Sequence, residues 1–199
     1  MTKAKAELAE LDGAELEEVE LEGGAFAGQT ADRVRFDGVR VSGGEFRETK
    51  IASLAWTDVA CERADLSNVA WREPRLTRVV LRECRLTGAR LEGADLDDVR
   101  FVGCQLDYAT FSGARFRRVT LDRCKLHETD FSGAKLGGTV FDACELVGAD
   151  FVGATLERAD IRSSTVRDVR ITARDVKGLV VTRDQAAVLA TLFGLVVRD

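Results

Sequence analysis

The chain of 199 residues holds one proline, one methionine, one histidine and one tyrosine. A single His127 leaves no second imidazole with which to build a histidine metal site or a relay, and no paired nucleophile or phosphate-binding glycine loop accompanies it. No stretch reaches the ~18 consecutive apolar residues of a membrane-spanning helix. The charged start, MTKAKAELAELDG, also lacks the apolar core of a signal peptide, so the expected compartment is the cytoplasm. An excess of basic charge is missing as well. The net charge is −5, and residues 1–32 alone carry nine acids against Lys3 and Lys5, a net of −7. The remainder holds 27 bases and 25 acids, a net of +2, so the chain is acidic at one end and charge-mixed elsewhere. That balance argues against direct nucleic-acid binding.

What the chain has in quantity is glycine, 18 in all, of which 14 fall at one phase of a five-residue period. The period is plainest from Leu81 to Asp160, where the units include CRLTG, ADLDD, ATFSG and CKLHE. It holds without insertion or deletion from Leu11 to Val181, through 35 centres. Every centre except Ala31 and Cys61 is Leu, Ile, Val, Phe or Trp. Two residues before the centre stands a small residue in 30 of 35 units, the exceptions being Gln29, Leu54, Pro74, Arg174 and Leu179. Neither a helix, with period 3.6, nor a flat strand, with period 2, keeps such a pattern on one face. A solenoid does, if each unit is a short extended side followed by a corner. Cys84, Cys104, Cys124 and Cys144 recur every 20 residues and so set four units to the coil. At ~4.8 Å between stacked strands, the repeat region makes a rod roughly 40 Å long.

The units ADLSN, ADLDD, TDFSG, ADFVG and ADIRS resemble the A(D/N)LXX motif of the pentapeptide-repeat family, and the resemblance covers residues 9–181. It implies an all-β solenoid, a right-handed quadrilateral β-helix. Within the family the chain is similar to the mycobacterial and Qnr-type fluoroquinolone-resistance proteins, partly through its ending, VTRDQAAVLATLFGLVV. That similarity implies a homodimer and a DNA mimic that binds a type II topoisomerase such as DNA gyrase, with antibiotic resistance as its consequence. Loops that break the register, which aid gyrase protection in Qnr-type relatives, are absent here.

Three segments follow from the pattern: a lead-in at 1–10, expected as a short helical turn; the repeats at 11–181; and a C-terminal cap at 182–199. Thr182 with Gln185 forms the signature of a capping box, Val181 and Ala186 that of a hydrophobic staple, and Gly194 a stop, predicting a helix over about 183–193. Val188, Leu189, Leu192, Phe193, Leu195, Val196 and Val197 exceed what one coil end covers, which marks them as a dimer interface.

Candidate sites are few. The cysteine column admits a soft-metal or redox reading, but it occupies the inward position usually given to alanine, where a thiol packs as a small hydrophobe. His127 beside Glu128, above Asp107 and Tyr108, faces outward. Pro74 reads either as a cis kink or as a tolerated edge proline. The acidic exterior carries the functional expectation. Asp12, Glu15, Glu17, Glu18, Glu20 and Glu22 cluster near one end and Asp95, Asp97 and Asp98 near the middle, as carboxylates on a rod of duplex-like width. Arg115, Arg117 and Arg118, one coil away, oppose the second group. No cofactor, metal or catalytic residue is expected, and therefore no enzyme. The alternative function is a general protein-interaction scaffold using a flat or glycine-cornered side.

Overall fold

Extended units with an apolar residue every fifth position stack only if residue i sits beside residue i+20, and the computed structural model, which describes residues 4–6 and 10–198, has that register from the first full coil onward. Arg75 lies beside Asp95, Leu76 beside Leu96 and Val80 beside Arg100, all in parallel. Where strands shorten to single bridges the spacing persists, as at Gln105 beside Lys125 and Thr110 beside Asp130. The fold is a quadrilateral parallel β-helix of about eight coils closed by one helix. Its four sides are centred, in chain order, on the columns beginning at Leu11, Leu16, Leu21 and Phe26. Each coil offers its N–H and C=O groups to the next, so the backbone pairs from coil to coil along the rod.

The interior is filled by the unit centres and the small residue two before each. The first side carries a ring column: Phe111 stacks on Phe131 at 5.6 Å and Phe131 on Phe151 at 5.3 Å between centroids. Some polar atoms that enter the core find partners, while Trp56 Nε1 and Thr139 Oγ1 are buried without one among the described residues. Trp71 Nε1 donates to Thr49 Oγ1 at 3.1 Å, and Thr129 Oγ1 donates to the Leu106 carbonyl at 2.9 Å.

The corner residue, two after each centre, is left-handed in almost every unit, whether glycine or not; Glu18, Asn68, Arg118 and Asp168 all have φ near +50 to +56°. Glycine at this phase thus relieves a strain that other residues bear. The units ending at Arg33, Ser53, Ser163 and Ala173 depart from it. Gly44 is a different case. It occupies an inward position with φ +99°, and a Cβ there would lie 2.7 Å from the Gly23 carbonyl oxygen and 2.9 Å from the Phe46 ring.

At the amino end the expected helical turn is absent from Ala4–Ala6, which add a parallel strand beside Val19–Leu21 instead. This pairing is offset by 15 residues rather than 20, so the lead-in joins the stack one unit short. The rest of that lead-in, residues 1–3 and 7–9, lies outside the described residues.

At the other end the helix runs Arg183–Leu192. Thr182 accepts from the Gln185 N–H, and the Gln185 side chain accepts from the Thr182 N–H, completing the capping box. Gly194, at φ +79°, donates to the Thr191 carbonyl while Leu195 N–H donates to Ala190, a Schellman ending. No helix among the described residues is long and apolar enough to cross a membrane.

Candidate partner-binding surfaces

On the first full coil, the short strands Ala14–Glu17 and Val19–Glu22 point their alternate residues outward because the inward positions belong to Ala14, Leu16, Val19 and Leu21. Glu15, Glu17, Glu18 and Glu22 are exposed and Glu20 is half-buried. The next coil places Arg35 beside Glu15, Asp37 beside Glu17 and Arg40 beside Glu20. Of the partners named here, Arg40 closes an ion pair on Glu20, at 3.1 Å. Asp12 has a structural task, accepting the Asp32 N–H at 2.8 Å across one coil. The amino end therefore presents a carboxylate cluster over about two coils.

The second acidic group is neutralised. Arg117 reaches Asp95 at 3.0 Å and Asp97 at 3.5 Å, and Arg118 also pairs with Asp97. Arg115 stands beside Asp95 in register, whereas Asp98 closes no ion pair among the described residues, since nearby Arg78 is held by Asp58 at 2.6 Å. Carboxylates matched in this way offer no net negative field to a partner.

The carboxyl end is apolar. Val188, Leu192, Leu195, Val196 and Val197 are exposed, the last two at 81% and 48%. Leu189 differs from the expected interface set: it is buried and packs onto the final coil, while Phe193 is half-buried. A concavity of about 270 Å³ lies between helix and coil end, lined by Val176, Leu179, Val181, Ala186, Leu189, Ala190, Phe193 and Leu195.

The remaining candidates serve the stack. Each thiol of the cysteine column donates to a carbonyl 23 residues earlier: Cys84 to Cys61 at 3.4 Å, Cys104 to Leu81 at 3.4 Å, Cys124 to Phe101 at 3.5 Å and Cys144 to Leu121 at 3.3 Å. Ser164 continues the column, donating to the Phe141 carbonyl at 2.8 Å. The hydrogen bond between Cys84 and Cys61, together with burial, pushes the Cys61 thiol well up. His127 braces three coils, with Nδ1 2.9 Å from Asp107 and Nε2 2.9 Å from Glu145. Pro74 is trans and buried, its carbonyl accepting the Asp95 N–H at 2.9 Å. The capping-box pattern accounts for Gln185 at the helix start only, yet its Nε2 also donates to the Ile161 and Ser164 carbonyls, both at 2.8 Å. The only outward sign was a glutamine where most of the helix's inner face is apolar.

A family model described as a pentapeptide repeat region matches residues 54–131, and one described as pentapeptide repeats in eight copies matches residues 124–162. Together they cover 54–162, more than half of the chain. The chain belongs to the pentapeptide-repeat family. No curated protein matches it. Among solved structures, full-length QnrB1, a plasmid-mediated fluoroquinolone resistance protein, is 20% identical over 88% of this chain and 100% of its own, with a TM-score of 0.37. HetL, a pentapeptide repeat protein involved in heterocyst differentiation regulation from the cyanobacterium Nostoc sp. strain PCC 7120, is 22% identical over 81% of this chain and 86% of its own, with a TM-score of 0.25. A pentapeptide repeat protein from the Arabidopsis thaliana thylakoid lumen is 25% identical over 52% of this chain and 66% of its own, with a TM-score of 0.21. These likenesses extend no further than the repeat architecture.

Proposed function

We propose that this pentapeptide-repeat rod is a cytoplasmic, non-enzymatic protein that engages a type II topoisomerase such as DNA gyrase as a DNA mimic, with quinolone resistance as a consequence where binding protects the enzyme. The observation that carries this reading is the exposed carboxylate cluster Glu15–Glu22 at one end of a straight-sided rod. A DNA-binding groove is built to attract closely placed negative charge, and a rigid rod presents such charge without losing conformational freedom on binding. Titration of the purified protein into a gyrase supercoiling reaction at low salt is expected to inhibit at micromolar concentration. Absence of inhibition would sink the proposal. Reversing charge at Glu15, Glu17 and Glu18 to Lys should raise the inhibitory concentration about tenfold or more, since each lost contact to a charged partner is worth ~1.5–3 kcal/mol. Unchanged inhibition would mean that charge mimicry is wrong.

The functional unit in this reading is a homodimer joined through the carboxyl ends, where Leu192, Phe193 and the Leu195–Val197 tail meet a second copy. Leu192→Asp or Phe193→Asp is expected to give a folded monomer by light scattering; a mass unchanged from wild type would count against that interface. A second reading, a scaffold for another protein partner, is favoured by the arginine-matched Asp95–Asp98 group, which leaves the middle of the rod without a DNA-like field. The supercoiling assay separates the two.

A further inference from the structure

Three arginines converge on one concavity of the rod without closing on a carboxylate. Arg35, Arg72 and Arg75 border a bay of about 300 Å³ where the first side turns into the second. Its floor is one coil wide and built of small residues, Ala52, Ser53 and Ala55. In register, Ala55 lies between Arg35 on the coil before and Arg75 on the coil after, so the two arginines flank a missing side chain about 10 Å apart along the stack. Arg72 closes the bay from the neighbouring side.

The backbone here is unlike the rest of the rod. Ser53 is among the few corner residues that are not left-handed, and the inward positions that follow the corner hold Leu54 and Pro74, where later coils have Ala94, Ala114 and Ala134. Larger inward residues and a different turn set this corner apart from the tight ones beyond it. None of the three guanidinium groups makes an ion pair or a side-chain hydrogen bond among the described residues, although Glu15 stands beside Arg35 in register. Glu73 also lines the bay, but its side chain lies over Gly93, toward the following coil and away from the floor, with Cγ 3.1 Å from where a Cβ on that glycine would be. Three guanidinium groups against one averted carboxylate give the lining itself a net charge of +2, with Glu15 and Asp95 one register position beyond Arg35 and Arg75.

We propose that this bay is an oxyanion site that takes a phosphate group. Guanidinium is a planar fork whose parallel N–H groups match two oxygens of a phosphate, and three such forks can serve a phosphate more fully than a carboxylate with its two oxygens. The Ser53 hydroxyl on the floor, with no partner among the described residues, adds a donor. The phosphate can arrive as a free anion or as the terminal group of a nucleotide.

The test is calorimetric titration of the full chain with inorganic phosphate, pyrophosphate and ATP without metal, at near-physiological salt. Saturable binding at one site per chain is expected for at least one probe. Equal affinity for pyrophosphate and ATP assigns the free anion; tighter ATP assigns a nucleotide, and both support the bay. Arg35→Gln and Arg75→Gln should each weaken binding about tenfold to a hundredfold, the worth of a hydrogen bond to a charged group. Ala55→Glu, which puts a carboxylate into the bay, should abolish it. Arg100→Gln, on the third side, should leave it unchanged. If Ala55→Glu does not fold, the two arginine variants carry the test, with circular dichroism confirming their fold. No saturable binding of any probe, or an equal loss in Arg100→Gln, would overturn the proposal, the latter by showing diffuse attraction to the rod.

Discussion

Phe131→Ala is expected to lower stability by about 3–5 kcal/mol, the range for removing a large aromatic from a core that cannot collapse. Phe131 is fully buried and sits at the middle of the ring column, stacked on Phe111 and Phe151 and touching the edges of Phe116 and Phe141 at 6.1 and 5.8 Å. The backbone around it is held coil to coil, Phe131 N–H to Asp150 and Phe111 N–H to Asp130, so the walls cannot close over the void. Each coil of a solenoid touches only its neighbours, and weakening one contact uncouples what lies on either side. Urea unfolding of the variant should therefore split into two transitions, with the coils beyond 131 and the terminal helix going first. Phe131→Leu should cost only about 1 kcal/mol, because a leucine fills the same position at Leu91 and leaves a smaller void. A single transition for Phe131→Ala at the wild-type midpoint would contradict the stacked-core account.

Gln185→Ala is expected to cost about 2–4 kcal/mol, as several buried polar groups lose their partners together. Its amide nitrogen satisfies the Ile161 and Ser164 carbonyls at the open end of the β-helix, and its amide oxygen satisfies the Thr182 N–H at the start of the helix. One side chain thus joins the cap to the last coil. Gln185→Glu is the sharper variant. A carboxylate can still accept from Thr182, but it faces two carbonyls with no proton to donate, so near neutral pH it should be at least as unstable as the alanine variant. The folded state would then favour the protonated acid, raising its pKa above the unfolded value. The lost stability should return as pH falls through that raised value. The check is thermal unfolding of the three proteins across pH; a Gln185→Ala variant within 1 kcal/mol of wild type would remove the amide from this role.

Much of the fold was legible in the residues because the solenoid repeats one local problem. Each unit must bury a large centre and a small companion and then turn, and Leu86, Ala89 and Leu91 state that solution as clearly as the finished coil does. The helix was legible for a similar reason, since Thr182, Gln185 and Gly194 act within a turn or two of themselves. The lead-in misled because an Ala, Lys and Glu composition favours a helix in isolation, whereas an open sheet edge offers Ala4–Ala6 a row of unpaired groups. The exposed apolar end was legible only in outline. Apolar spacing could not tell Leu189, buried against the last coil, from Val188 and Leu192, which face outward.

The sequence by itself determined the period, the four-unit coil and the list of inward residues, because hydrophobic burial and corner geometry are set within five residues and the register never slips. Only the tertiary structure decided which charges cancel, which survive and what closes the ends. Those outcomes depend on side chains twenty or more residues apart, as with Arg117 against Asp95, Gln185 against Ile161, and Arg35 and Arg75 across the small floor at Ala55.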